Sequence, residues 1–435
     1  MVLRRRAVLL VMLVMAAVPL VLAGCTGNPF ERVARPAPPP KLTITPAPDS
    51  RDLPTSVEIG TAVTGGKVAD VVVTDASGTR VDGAMRADGS SWMPSRALAN
   101  KQTYTAEVTA KNDAGKAVTQ KTTFSTMDKP AKRTVTNLNL QSDQTYGVAM
   151  PITVSFDSDI PKEARAGIQR RLLVSTDPPQ PGVWSWDENG RQVSYRAPDF
   201  WRPGTTVSVR AALDGVPMGE GSFGDTDRSG TAKIGNRVFL EIDNATKQMS
   251  VFKDDVLVRK IPVSLGKSST PTSSGKMVIM EKHESTVFDT TGSPDPYVVT
   301  VTNAQRLTWG GEFIHAAPWS VGAQGERNVS HGCTNVSDAN AEFLMETTKV
   351  GDLVTIKGTE VTLDQGNGWT AWNVSWDEFV KGSALPVPAD LKPAPPPPSG
   401  PANGGPGNGG PANGGPPAAD KPPASPAPSS SSGGR

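Results

Sequence analysis

The chain has 435 residues, room for about three domains, and its 44 Lys+Arg against 43 Asp+Glu leave a formal net charge of +1. That balance excludes a nucleic-acid binder working through bulk positive charge, so no nucleic-acid partner is expected. Two cysteines exclude a disulfide scaffold and three histidines leave little for a multi-histidine metal site, while 43 Gly and 40 Pro predict long linkers.

In chain order, residues 1–25 come first. Arg4-Arg5-Arg6 forms a basic head, and Ala7 to Leu22 is an uninterrupted apolar run, followed by Leu22-Ala23-Gly24-Cys25. A charged head, a short apolar core and small residues before a cut site describe an export signal. An uncleaved anchor is the alternative, but the run falls short of the ~20 residues of a spanning helix. The tetrapeptide resembles the lipobox of bacterial lipoproteins, which implies lipidation at Cys25. The expected location is the cell membrane, lipid-anchored and facing the periplasm or cell wall. Cys333 is then a lone thiol in an exported protein, where thiols are normally oxidised or absent. It is either a buried inert cysteine or a nucleophile.

Residues 26–52 are proline-rich and read as an extended spacer of roughly 3.1 Å per residue. Residues 53–127 alternate in short runs such as Val68–Val73 and Tyr104–Thr109, with turn signals between them, and predict an all-β sandwich. Residues 131–224 repeat the idea. Neither module contains histidine or cysteine, so both are expected to be immunoglobulin-like spacers. Residues 232–357 hold all three histidines and Cys333. Strands are expected there at 238–242, 249–252, 256–263, 276–280, 297–301, 312–315 and 353–356, and one helix from Ser337-Asp338 to Lys349-Val350, stopped by Gly351. Residues 358–390 carry Trp369, Trp372, Trp376 and Phe379. Ser375 and Glu378 fit a capping box there, and the aromatics predict a docking face. Residues 391–435 lack apolar content and are expected to be disordered.

The informative stretch is His315-Ala-Ala-Pro-Trp-Ser320 followed by Ser330-His331-Gly332-Cys333-Thr334-Asn335. A free thiol is only about 3 % ionised at neutral pH. An imidazole can hold the pair as thiolate–imidazolium and return the proton to a leaving amine. His315 and Cys333 are the candidates for that pair. Gly332 permits a sharp turn that would aim nearby amides at an oxyanion. Two alternatives stay open: His315, His331 and Cys333 as zinc ligands with Glu312 as base, or His331 as a structural histidine. His283 reads as a solvated loop histidine.

The Ser330–Asn335 hexapeptide, the upstream His315 and Thr270-Pro-Thr-Ser-Ser-Gly275 together resemble the signature of the L,D-transpeptidases (YkuD-type catalytic domain). The resemblance is close over Lys233–Lys357. In arrangement it extends over Leu53–Leu385 and points to the actinobacterial cell-wall members. It implies a mainly β chain: two tandem immunoglobulin-like β-sandwiches, then a β-rich L,D-transpeptidase catalytic domain with one or two helices. It implies that Cys333 attacks the third residue of a peptidoglycan stem tetrapeptide and expels D-alanine. A diamino-acid amine of a second stem then resolves the thioester into a 3→3 cross-link.

In that scheme His315 is the general acid/base, backbone amides at Gly332 form the oxyanion hole, and His331 completes the catalytic loop. Tyr297, Trp309, Ala316, Ser330 and Asn335 contact or shape the substrate site, Tyr297 and Trp309 from its lid. No cofactor or metal is implied, and β-lactams, carbapenems in particular, are the expected covalent inhibitors. Three positions depart from the family pattern: Thr334 is usually aliphatic, Ala316 replaces the common Ser or Gly, and Trp309 stands where Tyr is expected. The rival functions are a zinc-dependent peptidoglycan amidohydrolase and a non-catalytic wall-binding lipoprotein.

Overall fold

The computed structural model describes residues 37–292 and 296–392; the export signal, Cys25 and the tail beyond Lys392 lie outside them. The chain is mainly β, as expected. In the first module, strands Lys41–Thr45, Ile59–Thr64, Ser91–Pro94 and Gly83–Met85 form one sheet, and Ser50–Leu53, Ala117–Thr126, Thr103–Lys111 and Lys67–Asp75 form the other. Thr103–Lys111 shows why. Its residues alternate between buried and exposed, sending Tyr104, Ala106, Val108 and Ala110 inward to meet Ile59, Trp92 and Phe124. Two of these strands fall inside the expected spacer. The proline run ends at Pro40, and the alternating Leu42 and Ile44 that follow pair with Ile59–Thr64, so the module begins at Lys41 rather than Leu53.

The second module also packs two four-stranded sheets, beside a small sheet of Pro217–Gly219, Ser222–Gly224 and Arg133–Thr134, with one further addition and one shifted edge. The addition is a helix, Lys162–Gln169, whose Ile168 is fully buried. The edge is strand Arg228–Ile234, which spans the expected boundary and pairs along its length with Thr206–Ala211. The catalytic unit therefore starts after Ile234.

That unit stacks two sheets. Six strands run in the order Val256–Pro262, Gln248–Lys253, Val238–Asp243, Leu353–Lys357, Ser273–Val278 and Val361–Thr362. Four more run Glu281–Asp289, Val298–Arg306, Phe313–Ala316 and Thr334–Val336. Leu240, Ile242, Val251, Ile314 and Val336 fill the space between them. The helix Asp338–Thr347 starts after Ser337 as expected and ends three residues before Val350.

Residues 364–391 wrap back over both units. Trp372 Nε1 donates to Ala149 O at 2.7 Å, and Arg196 donates to Ala371 O (3.0 Å) and Val374 O (3.2 Å). The Arg196 guanidinium lies 4.4 Å from the centre of Trp372, 5.1 Å from Trp376 and 4.6 Å from Phe379. On the catalytic side Lys276 N donates to Asn373 Oδ1 at 3.0 Å. Ser375 Oγ accepts from Glu378 N at 3.2 Å and starts the helix Trp376–Phe379. Among the described residues no helix is long and apolar enough to cross a membrane.

Candidate active site

Two short strands set the site. Phe313–Ala316 and Thr334–Val336 run parallel, with Ile314 opposite Thr334 and His315 opposite Asn335. Cys333 immediately precedes the second strand, so the pairing brings it beside His315 across the segment 316–332. Both side chains line one cavity of about 520 Å³, together with Phe288, Trp319, Ser330 and Asn335. Cys333 also borders a second cavity of about 610 Å³, whose walls include Thr286, Arg306, Trp309 and Gly311. The hairpin Glu281–Asp289/Val298–Arg306 contributes Phe288 to both, and Tyr297 at its tip does the same.

Hydroxyl side chains hold the Ser330–Cys333 loop. Ser330 Oγ donates to Cys333 O at 2.6 Å and accepts from Gly332 N at 3.2 Å. Thr272 Oγ1 donates to Gly332 O at 2.7 Å and accepts from Gly266 N at 2.8 Å. Gly332 has φ +124°, a value open to glycine. Its amide donates to Ser330 Oγ, itself on the cavity wall. Asn335 exchanges backbone bonds with Ser264 and donates from Nδ2 to Ser320 Oγ at 3.1 Å. The Thr334 hydroxyl is buried without a hydrogen-bond partner.

His315 Nδ1 lies 2.8 Å from Ala316 O. Nδ1–H as the donor fixes the tautomer and leaves Nε2 as the basic nitrogen. Burial pushes the imidazole below its ordinary range, more than the Ala316 bond restores. Cys333 is 6 % exposed, and burial pushes its thiol up to about 12; Glu312 adds to this and the Phe313 amide opposes it. Sγ lies 3.6 Å from Gly311 O. Burial thus favours the uncharged form of both groups, which opposes the expected thiolate–imidazolium pairing.

Tyr297 packs on His331, ring centres 4.7 Å apart, and His331 Nε2 is 3.0 Å from Lys267 Nζ. Trp309 is off the hairpin. It sits in the turn before Phe313–Ala316, 50 % exposed, and its ring borders the larger cavity from the side. His283 belongs to a hairpin strand and not to a loop, with Nε2 3.0 Å from Glu281 Oε2. Among the described residues no three His, Cys, Asp or Glu side chains are arranged to hold a metal ion, so His315, His331 and Cys333 do not form the zinc set considered above. Glu312 spends one oxygen on Ser273 N at 2.7 Å. Thr272, Phe288, Gly311 and Trp319 complete the site without having been singled out. For Thr272 the signal was present, since it lies within the Thr270–Gly275 motif.

The comparisons agree along the chain. Residues 50–217 match a bacterial Ig domain family and residues 237–356 an L,D-transpeptidase catalytic domain family. Over 352 residues the chain is 33% identical to L,D-transpeptidase 2 of Mycobacterium tuberculosis (strain CDC 1551 / Oshkosh), covering 79% of this chain and 85% of that protein. Over 389 residues it is 35% identical to L,D-transpeptidase 5 of M. tuberculosis (strain H37Rv), covering 86% and 84%. A solved LD transpeptidase, LdtMt1 in complex with imipenem, aligns at 29% identity with TM-score 0.43, over 52% of this chain and 100% of that one.

Proposed function

The chain belongs to the L,D-transpeptidase family, and we propose that it forms 3→3 peptidoglycan cross-links through a Cys333 thioester with release of D-alanine. The observation that carries this is the register that sets His315 beside Cys333 on one cavity wall, with Nδ1 tied to Ala316 O. Nε2 is left to move the proton.

The thiol is directed at Gly311 O, so attack begins when donor peptide displaces that contact. Sγ bonds to the carbonyl carbon of the third stem residue while its proton passes to His315 Nε2. The C–N bond to D-alanine then breaks, and the imidazolium returns the proton to the departing amine. The acceptor's side-chain amine attacks the thioester, loses a proton to His315, and the thiol leaves re-protonated. Desolvation suits these steps, because a neutral pair in a dry site creates charge only as the reaction needs it. Carbapenems are inhibitors by the same chemistry: Sγ adds to the strained lactam carbonyl, the C–N bond opens and the ring nitrogen takes the proton.

Incubation with disaccharide tetrapeptide tests this by mass spectrometry. The expected products are free D-alanine and a dimer linked between two third residues, both lost in Cys333→Ala. Transfer to water alone, without dimer, would overturn the cross-linking assignment, and an inert Cys333 would favour a wall-binding role.

The lipobox-like tetrapeptide supports anchoring through Cys25 at the outer face of the cell membrane, with the two sandwiches as spacers. Cys25→Ala is expected to release the protein from membranes. Continued co-sedimentation without detergent would contradict the anchor.

A further inference from the structure

We propose that Lys282 is a positioning residue for the reaction, fixing the hairpin that roofs both cavities to the helix that follows the nucleophile. The inference rests on the assignment of Cys333 as nucleophile above.

Lys282 stands at the base of the hairpin's first strand. Its Nζ donates to Met345 O at 2.6 Å and Thr348 O at 2.5 Å, the carbonyls at the end of the helix Asp338–Thr347. A helix ends on unsatisfied carbonyls and partial negative charge, which an ammonium satisfies. Its cross-strand partner Gln305 grips the same turn, accepting from Thr348 Oγ1 at 2.8 Å through Oε1. Both bases of the hairpin therefore hold one helix end.

The sheet register carries this grip to the chemistry. Lys282 pairs with Gln305, Gln305 with Ile314, and Ile314 with Thr334. Ile314 precedes His315, and Thr334 follows Cys333. One row of four residues thus joins the lysine to the neighbours of both reacting side chains. The hairpin's far end holds Phe288 and Tyr297 over the thiol, so its tilt about this base sets the height of the roof. Lys282 is half-buried and held by these two carbonyls, while Asp352 and Lys349 from the following loop act on it with opposite sign. That burial marks an ammonium kept for a purpose, since a lysine free to reach solvent would avoid the desolvation.

The test compares Lys282→Met, which keeps the length and loses the donors, with Lys282→Arg, which keeps the charge. Two readouts are used at one pH on the soluble protein. The rate of Cys333 alkylation by iodoacetamide is expected to rise about 10-fold or more in Lys282→Met and to return toward wild type in Lys282→Arg. With tetrapeptide donor, KM is expected to rise about 5-fold while kcat stays within about 2-fold. A folded Lys282→Met with wild-type alkylation and KM would overturn the proposal. If it does not fold, Lys282→Gln carries the same comparison, and unfolding of both would make the lysine a stability residue and overturn the proposal as well. Alkylation needs no cross-linking, so an inactive wild type would count against the function and leave this arm readable.

Discussion

The second sandwich is joined to its two neighbours by different chemistry. Toward the first module the junction is polar. Glu58 accepts from Arg86 at 2.6 Å and stands 2.8 Å from Arg171, Arg86 donates to Arg170 O at 2.8 Å, and Arg210 donates to Ser95 O at 2.6 Å. Each module keeps its own core. Toward the catalytic unit the core is shared: Val278, Met280, Leu353, Trp369 and Trp372 belong to the same buried cluster as Tyr146, Met150, Tyr195 and Trp201. Backbone bonds stitch the seam, Gly147 N to Val350 O at 2.8 Å and Ala149 N to Gly351 O at 3.0 Å. The Glu58–Arg171 pair is largely buried, with side chains 18% and 12% exposed, but it joins two separate cores, whereas a common apolar core melts as one. The second sandwich thus shares its core with the catalytic unit, and the first keeps a core of its own.

The largest way to break that contrast is to truncate after Lys357. The cut strips Trp369 and Trp372 from the shared core and uncovers Arg196, which has no carboxylate among its hydrogen-bond partners. Single buried Trp truncations cost about 3–5 kcal/mol, so a fall in Tm of about 10 °C or more is expected by calorimetry. Next comes Gly147→Ala at the seam. A Cβ there would lie 2.1 Å from Asp352 Oδ1 and 2.4 Å from Asp352 N. Two backbones must separate, and a loss of about 1–3 kcal/mol in denaturant unfolding is expected.

The seam also has a pH signature. Burial pushes the Asp352 carboxyl up to about 7, against an ordinary 3.8. The folded state then holds a proton that the unfolded chain releases, so stability falls as pH rises from about 4 through 7. Asp352→Asn is expected to flatten that slope, and an unchanged slope would place the titration elsewhere. The smallest effect sharpens the other side of the contrast. Removing residues 1–127 should leave the main melting transition within about 2 °C and donor turnover within about 2-fold. A large drop in either would show that the polar junction carries more than its chemistry suggests.

Chemistry was more legible in the sequence than location. Cys333, His315 and Gly332 stood out because a nucleophile, a base and a sharp turn each demand one residue type. The Ser337 helix start and the Ser375 cap are local events, and both helices begin where read, with the Glu378 carboxylate on Lys381. Boundaries were less legible, because proline content hid the strand at Lys41 and a loop-like Asp-rich stretch hid the strand at Arg228. The burial of Cys333 and the partners of Lys282 were not legible at all. Each is created by residues distant in the chain, and burial leaves no mark in a sequence.

The central claim is that Cys333, assisted by His315, is an acylable nucleophile. The most direct measurement is intact-protein mass spectrometry of a soluble form beginning at Thr26, treated with a carbapenem. A single adduct is expected, mapped to Cys333 by digestion, absent in Cys333→Ala, formed at least about 10-fold more slowly in His315→Ala, and indifferent to chelators. An adduct on another residue, no adduct with any β-lactam, or a His315→Ala variant acylated at the wild-type rate would contradict it.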